Sequence, residues 1–420
     1  MADNTLAWRM YRAALTDLLL NTTGSDITKF QGLQIPALQP PEVDWAGPNG
    51  QYNSFLFADL ISAWSPVYQN SLGKRVTDGY HTFILDVAPP VVLDQDAAKQ
   101  AQQLAPQVTA AWNALSSARQ QIVPQWVAFD KAQQALPPED QMSFDDWLAQ
   151  DLGPQISMLE TQYEGVRGQW TAAANKAAGG YQSLGNAVND YNNPGFQVEV
   201  PFSAPGSTKV GKTLLRTWNF DPLPNDFLNA ARAGHGAAFS LNVSNQTGTE
   251  DVTSWGVQGG ADLDLGFISI GTEGGFHRTS VDATSQTFGV AFSAKSFTGI
   301  QITAGQWFHQ NVVIQFKNGP FVPNAPTFFG SDGLLNLAST TAYVAYQPTI
   351  IVTLDSQAYS EVQSNWSVGA TLGIGPFSFG GSGGGSSDKV KFHDDNQSIE
   401  AVSNLDSLQL IALVCTILPG

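Results

Sequence analysis

The chain has 420 residues, 42% apolar and only 13% charged, with 36 Asp and Glu against 19 Lys and Arg for a net charge of −17. That length calls for two or three folding units, and that charge excludes nucleic acid or an anionic bilayer as a purely electrostatic partner, since both demand clustered cations. Cys415 is the only cysteine, which excludes a disulfide scaffold.

Met1-Ala2-Asp3-Asn4 carries no basic n-region, and Leu18-Leu19-Leu20 is too short for a signal-peptide core. The expectation is cytoplasmic synthesis without a classical signal peptide, any release following a non-classical route. No apolar run approaches the roughly 18 residues of a spanning helix. Within residues 1–92, Trp8, Tyr11, Leu15, Leu18 and Leu19 recur at helical spacing and predict a helix over about 4–21. Pro36, Pro40, Pro41 and Pro48 then break the chain, and Thr82-Phe83-Ile84-Leu85-Asp86 reads as a strand before Pro89-Pro90. This first unit is expected to be a helix with an irregular or β cap.

Residues 93–193 turn to Ala and Gln. Leu104, Val108, Ala111, Leu115, Ala118 and Ile122 recur at alternating steps of four and three, and a longer run from Ile156 through Tyr163, Trp170 and Tyr181 to Val188 keeps steps of three and four throughout. That period leaves a narrow apolar seam and predicts a coiled-coil-like helical hairpin. The return helix is predicted unbroken, roughly 50 Å long. Pro106 and Pro124 are expected to kink or interrupt the outgoing one. Pro137-Pro138 and Gly153-Pro154 bracket a short helix that Ser143 and Asp146 can cap.

Beyond residue 194 short alternating runs separated by Gly, Asn, Ser and Thr predict an antiparallel sandwich or barrel. Residues 260–275 align without gaps to 369–384, and Val243, Gln246, Glu250 and Trp255 match Leu354, Gln357, Glu361 and Trp366 at one constant offset. These matches predict an internal duplication, with repeats at about 239–306 and 350–417. In each copy the apolar alternation changes parity: Leu263, Leu265 and Phe267 give way to Ile268 and Ile270, while Leu372 and Ile374 give way to Phe377 and Phe379. A bulge at Gly266 and at Gly375 would reverse the faces that way. Two readings follow: sandwich halves related by pseudo-symmetry, or a glycine-rich amphipathic hairpin that rearranges in a membrane. Trp255 and Trp366 are expected in the repeat core.

Gly206-Ser-Thr-Lys-Val-Gly211-Lys212-Thr213 matches the P-loop pattern, in which backbone amides cradle phosphate, the lysine reaches it and the hydroxyl binds magnesium. The alternation of Leu214, Arg216, Trp218 and Phe220 behind Thr213 predicts a strand where a P-loop needs a helix. Asp388, Asp394 and Asp395 around His393 are candidate oxygen ligands for a hard cation, although no EF-hand spacing surrounds them. No H-E-x-x-H occurs. The fold class expected is therefore multidomain α+β: a mixed cap, a long helical hairpin and an internally duplicated antiparallel β-sandwich or barrel. The function expected is non-enzymatic, without a cofactor. A self-assembling, membrane-active, pore-forming and toxin-like homo-oligomer ranks first, with the stretch 279–302 or the helical arm inserting. A filament, shell or injection-machine component, a glycan-binding module and a P-loop NTPase through Gly206–Thr213 are the alternatives. Lipid membrane or glycan is the expected partner, and nucleic acid is not.

Overall fold

Helix Asn4–Thr23 opens the chain of this computed structural model, which describes residues 4–23, 32–36, 44–62, 67–68, 70–244, 247, 266–272, 275–330, 332–367, 370–380 and 389–418. The arm is built on helix Gln95–Gln133, 39 residues and about 58 Å long. Asp94 caps it by accepting the Ala97 N–H. Pro106 and Pro124 do not interrupt it. Both rings lie on the exposed face, where water can satisfy the carbonyls that they free.

Helix Phe144–Gln150 follows, with the Ser143 hydroxyl accepting the Asp146 N–H and donating to the Asp146 carboxylate at 2.6 Å. Helix Gly153–Ala177 then packs back along the long helix. The alternating seam residues from Leu104 to Ile122 are all buried, together with Ile156, Tyr163 and Trp170 opposite. The return is not continuous, as the unbroken spacing predicted. Ala178 and Gly179 take φ of +55° and +60°, and helix Gly180–Tyr191 starts afresh. The Val91 carbonyl passes so close that a Cβ at Gly179 would sit 2.6 Å from its oxygen. The neighbouring chain thus forces a break that apolar spacing cannot register.

The run Thr82–Asp86 is the end of helix Val76–Asp86, not a strand. Every residue from Gly79 to Asp86 is buried, so the helix has no polar face, and a short apolar run then reads alike for either element. Beyond residue 194 three helices, Pro224–Arg232, Gln310–Phe316 and Ser356–Asn365, interrupt a region expected to alternate strand and loop.

Strand Leu337–Thr353 is the spine of a nine-stranded sheet. Strand Gly289–Ala304 pairs antiparallel along one side of it. The other side is shared by Leu408–Ile417 and Ser398–Val402. Strand Gly289–Ala304 is itself flanked by Ala237–Ser244 and, at its far end, by Trp218–Asp221. Gly32–Pro36 pairs antiparallel with Leu408–Ile417 and parallel with Val67–Tyr68, so the first 92 residues supply strands to the same sheet. Among the described residues the sheet stays open and no barrel closes. A second sheet orders its four strands as Gly275–Thr279, Ile268–Thr272, Thr371–Ile374 and Phe377–Gly380. It shares one apolar core with helix Asn4–Thr23 and the inward residues Val290, Phe292, Ile350 and Val352 of the large sheet. There the Phe292 and Phe377 rings stack at 5.1 Å and 13°. Each such buried side chain contributes about 1.5–3 kcal/mol. The fold is mixed α+β, with one very long helix and one large antiparallel sheet.

Candidate functional site

Four strand ends lie side by side at one edge of the large sheet. Ser244 is opposite Gly289, Gly289 opposite Thr353, and Thr353 opposite Ser398. Two excursions of equal length leave from this line: 245–288 joins the first pair of neighbours and 354–397 joins the second.

The small sheet keeps the register of the large one. In an antiparallel pair, partners recede in step as one moves along both chains. Moving from Gly289 backwards and from Thr353 forwards by equal numbers of residues brings Ile268 opposite Ile374, and those two are partners in the small sheet. The same move from Thr353 forwards and Ser398 backwards brings Ile374 opposite Phe377, again the observed pair. Three strands of the small sheet therefore keep the order and register of a straight continuation of the large sheet, but are folded over so that Phe377 stacks on Phe292.

This geometry corrects the bulge expected at Gly375. Strands Thr371–Ile374 and Phe377–Gly380 pair with each other across the two-residue loop Gly375-Pro376, and Gly375 has φ of +55°. A positive φ at the first loop residue is what a type II′ hairpin turn requires. Because Leu372 faces Phe379 and Ile374 faces Phe377, even and odd residues share one side of the hairpin. The parity change belongs to the turn, and no extra residue is inserted. Gly266 occupies the matching place before strand Ile268–Thr272, and the Phe267 carbonyl accepts the Gly375 N–H at 2.8 Å. Trp255 lies outside the described residues. Trp366 ends helix Ser356–Asn365, half-buried and 6.4 Å from the Phe392 ring, where the alternation predicted a strand.

Polar clasps near the surface hold the excursions down. His277 meets Glu361 at 2.8 Å, joining one excursion to the other. Asp394 accepts from the Tyr359 hydroxyl at 2.7 Å and from Gln363 at 3.1 Å; these bonds hold its carboxyl below the usual range. Desolvation and the nearby Asp394 push Tyr359 up to about 12. Glu400 meets Lys391 at 3.6 Å and His393 at 3.3 Å. Exposed pairs of this kind contribute little stability each, about 0–1 kcal/mol.

Asp394 is thus engaged as an acceptor, Asp395 is exposed, and Asp388 lies outside the described residues. Among the described residues no group of three or more His, Cys, Asp or Glu is arranged to hold a metal ion. At the P-loop match, Gly206 takes a φ of +78° in a turn, but Gly211 begins strand Gly211–Arg216, paired antiparallel with Gln197–Phe202. Thr213 is buried within that strand, and Lys212 reaches Glu199 at 3.3 Å. A Cβ at Gly211 would stand 2.7 Å from the Phe202 ring and 2.9 Å from that of Phe144, so glycine serves packing here. No helix N-terminus follows to receive a phosphate. Trp307 is fully buried and donates to the Thr217 carbonyl, so its ring is closed to a sugar. No protein-family profile, curated protein or solved structure matches the chain.

Proposed function

We propose that this chain is the subunit of a self-assembling, membrane-active oligomer, and that residues 245–288 and 354–397 are its inserting elements. On this reading each excursion straightens from the sheet edge into a β-hairpin that lengthens the strands on either side of it. The observation that carries the reading is the register that three strands of the small sheet share with the large one, since straightening then preserves the pairing of Ile268–Thr272 with Thr371–Ile374 and of Thr371–Ile374 with Phe377–Gly380, while that of Ile268–Thr272 with Gly275–Thr279 is given up. The offset between Ser244 and Thr353, and between Gly289 and Ser398, also matches that of the sequence repeat, which supports descent from one duplicated hairpin.

Sequence supports the same elements. Trp255, Val257, Ala261, Leu263, Leu265 and Phe267 alternate with small or polar residues, as do Trp366, Val368, Ala370, Leu372 and Ile374. One face of each run suits lipid and the other a water-filled lumen. Each arm of an excursion has roughly twice the 9–11 residues that a spanning β-strand needs. No described helix is long and apolar enough to cross a membrane, so in this reading backbone closure in lipid falls to strands shared among subunits. The low charge of the surface reduces desolvation where subunits meet.

Liposome leakage tests the reading. Adding the protein to dye-loaded vesicles is expected to release dye and to leave ring-shaped or arc-shaped particles on the bilayer under negative stain. Polymers that form without leakage would replace this function with a structural scaffold.

A further inference from the structure

A cavity of about 100 Å³ lies at the base of the arm, between helices Gly50–Asp59, Val76–Asp86 and Gln95–Gln133 and the hairpin strand Gly211–Arg216. Arg216 lines it at 8% exposure. Its Nε and Nη1 have no hydrogen-bond partner, and among the described residues no carboxylate lies within 4.0 Å of it. The guanidinium carbon sits 4.0 Å from the centre of the Tyr191 ring and 5.8 Å from that of Trp112. Ring faces return only part of the hydration that a buried guanidinium loses.

The carboxylates of the same wall are already engaged. Asp59 accepts from the Thr77 N–H at 2.9 Å and the Thr77 hydroxyl at 2.8 Å, and Asp78 accepts from Trp112 Nε1 at 3.1 Å and Ser116 at 3.0 Å. Two further cavity arginines stand near their own acids, Arg75 3.9 Å from Asp59 and Arg119 2.7 Å from Glu160. In a chain of net charge −17 the cavity therefore gathers three guanidinium groups and leaves one without an anion.

We propose that this cavity is a binding site for a compact oxyanion, held by Arg216 with Arg75 and Arg119 beside it. Its volume is well short of the 300–1,000 Å³ typical of larger ligands, so a nucleotide is too large. Asp59 and Asp78 on the wall repel a dianion, which favours a monoanionic carboxylate over phosphate. The planar fork of arginine matches either oxyanion. The site is independent of the membrane reading.

Thermal unfolding in sodium acetate, sodium phosphate and sodium chloride at matched pH and ionic strength tests it, on the full chain and on Arg216→Met. Acetate is expected to raise the wild-type Tm saturably beyond chloride, because a ligand that binds only the native state stabilises it by mass action. A rise with phosphate alone supports the oxyanion site and assigns it the dianion. Arg216→Met is expected to unfold no earlier than wild type in chloride, since removing an unpaired buried charge relieves desolvation, and to lose the oxyanion response. Titration calorimetry of wild-type protein with acetate and with phosphate needs no variant, and saturable one-to-one binding of either is expected. No saturable binding of either anion, or an equal Tm response in Arg216→Met, would overturn the proposal.

Discussion

Burial lifts the Asp59 carboxyl to about 6, against the pull of Arg75 and the Thr77 hydrogen bonds, and burial alone does the same to Asp86. A carboxyl whose folded pKa is raised binds its proton more tightly in the native state. Its contribution is complete below the unfolded value near 4 and is lost as pH rises through 6. His81 titrates the other way: burial, then Arg216 and Arg167, hold it neutral, so its contribution falls as pH drops below about 6.5. A difference between variants isolates one group from this background. Asp59→Asn is expected to remove a decline in unfolding free energy between pH 4 and 6 on the order of 2–3 kcal/mol, leaving the Asp86 and His81 slopes in place. Urea denaturation at four pH values measures it, and parallel wild-type and variant curves would contradict it. None of this was legible in the sequence. Asp59 follows an apolar patch as a loop acid does, and Arg216 reads as one polar residue in an alternating strand. Their burial comes from helix Gly50–Asp59 and hairpin Gln197–Arg216 meeting across long stretches of chain.

At the scale of elements, the seam of the arm was plainly written, because alternating steps of three and four survive over many turns. What the spacing missed were the points where other chain segments intrude, such as the break at Ala178-Gly179 beside the Val91 carbonyl. The prolines mislead in the opposite direction. Pro106 and Pro124 sit within a continuous helix because packing of the opposite face holds it through them. They still cost a hydrogen bond each. Pro124→Ala is expected to stabilise the protein by about 1–3 kcal/mol, read as a higher Tm or denaturant midpoint. An unchanged or lower midpoint would mean that the ring itself is needed. Helix Ser356–Asn365 escaped the reading for another reason. Its ten residues hold three buried side chains, Ala358, Tyr359 and Val362, too few to show a period.

For the whole molecule, the matched glycines and tryptophans pointed to an internal repeat, and in the second copy the apolar parity does change between Ile374 and Phe377. Sequence alone could not separate a bulge from a two-residue turn, because both move the apolar face from even to odd residues. Only the partner register distinguishes them, and that same register led to the proposed straightening. The proposal makes a sharp distinction between two cross-strand pairs. Lys391 and Glu400 are partners now, but on straightening Lys391 would leave Glu400 and come opposite Ser360. Ser269 and Gly373 are partners now and would remain so. Antiparallel partners lie within disulfide reach, and the buried Cys415 thiol, pushed up to about 12, stays out of the exchange. Dye release from vesicles by the oxidised double variants Lys391→Cys/Glu400→Cys and Ser269→Cys/Gly373→Cys is therefore the most direct measurement. The first is expected to be silent until a reductant is added, and the second to leak while still cross-linked. Leakage by the oxidised Lys391→Cys/Glu400→Cys protein, or silence of the cross-linked Ser269→Cys/Gly373→Cys protein, would contradict the conversion.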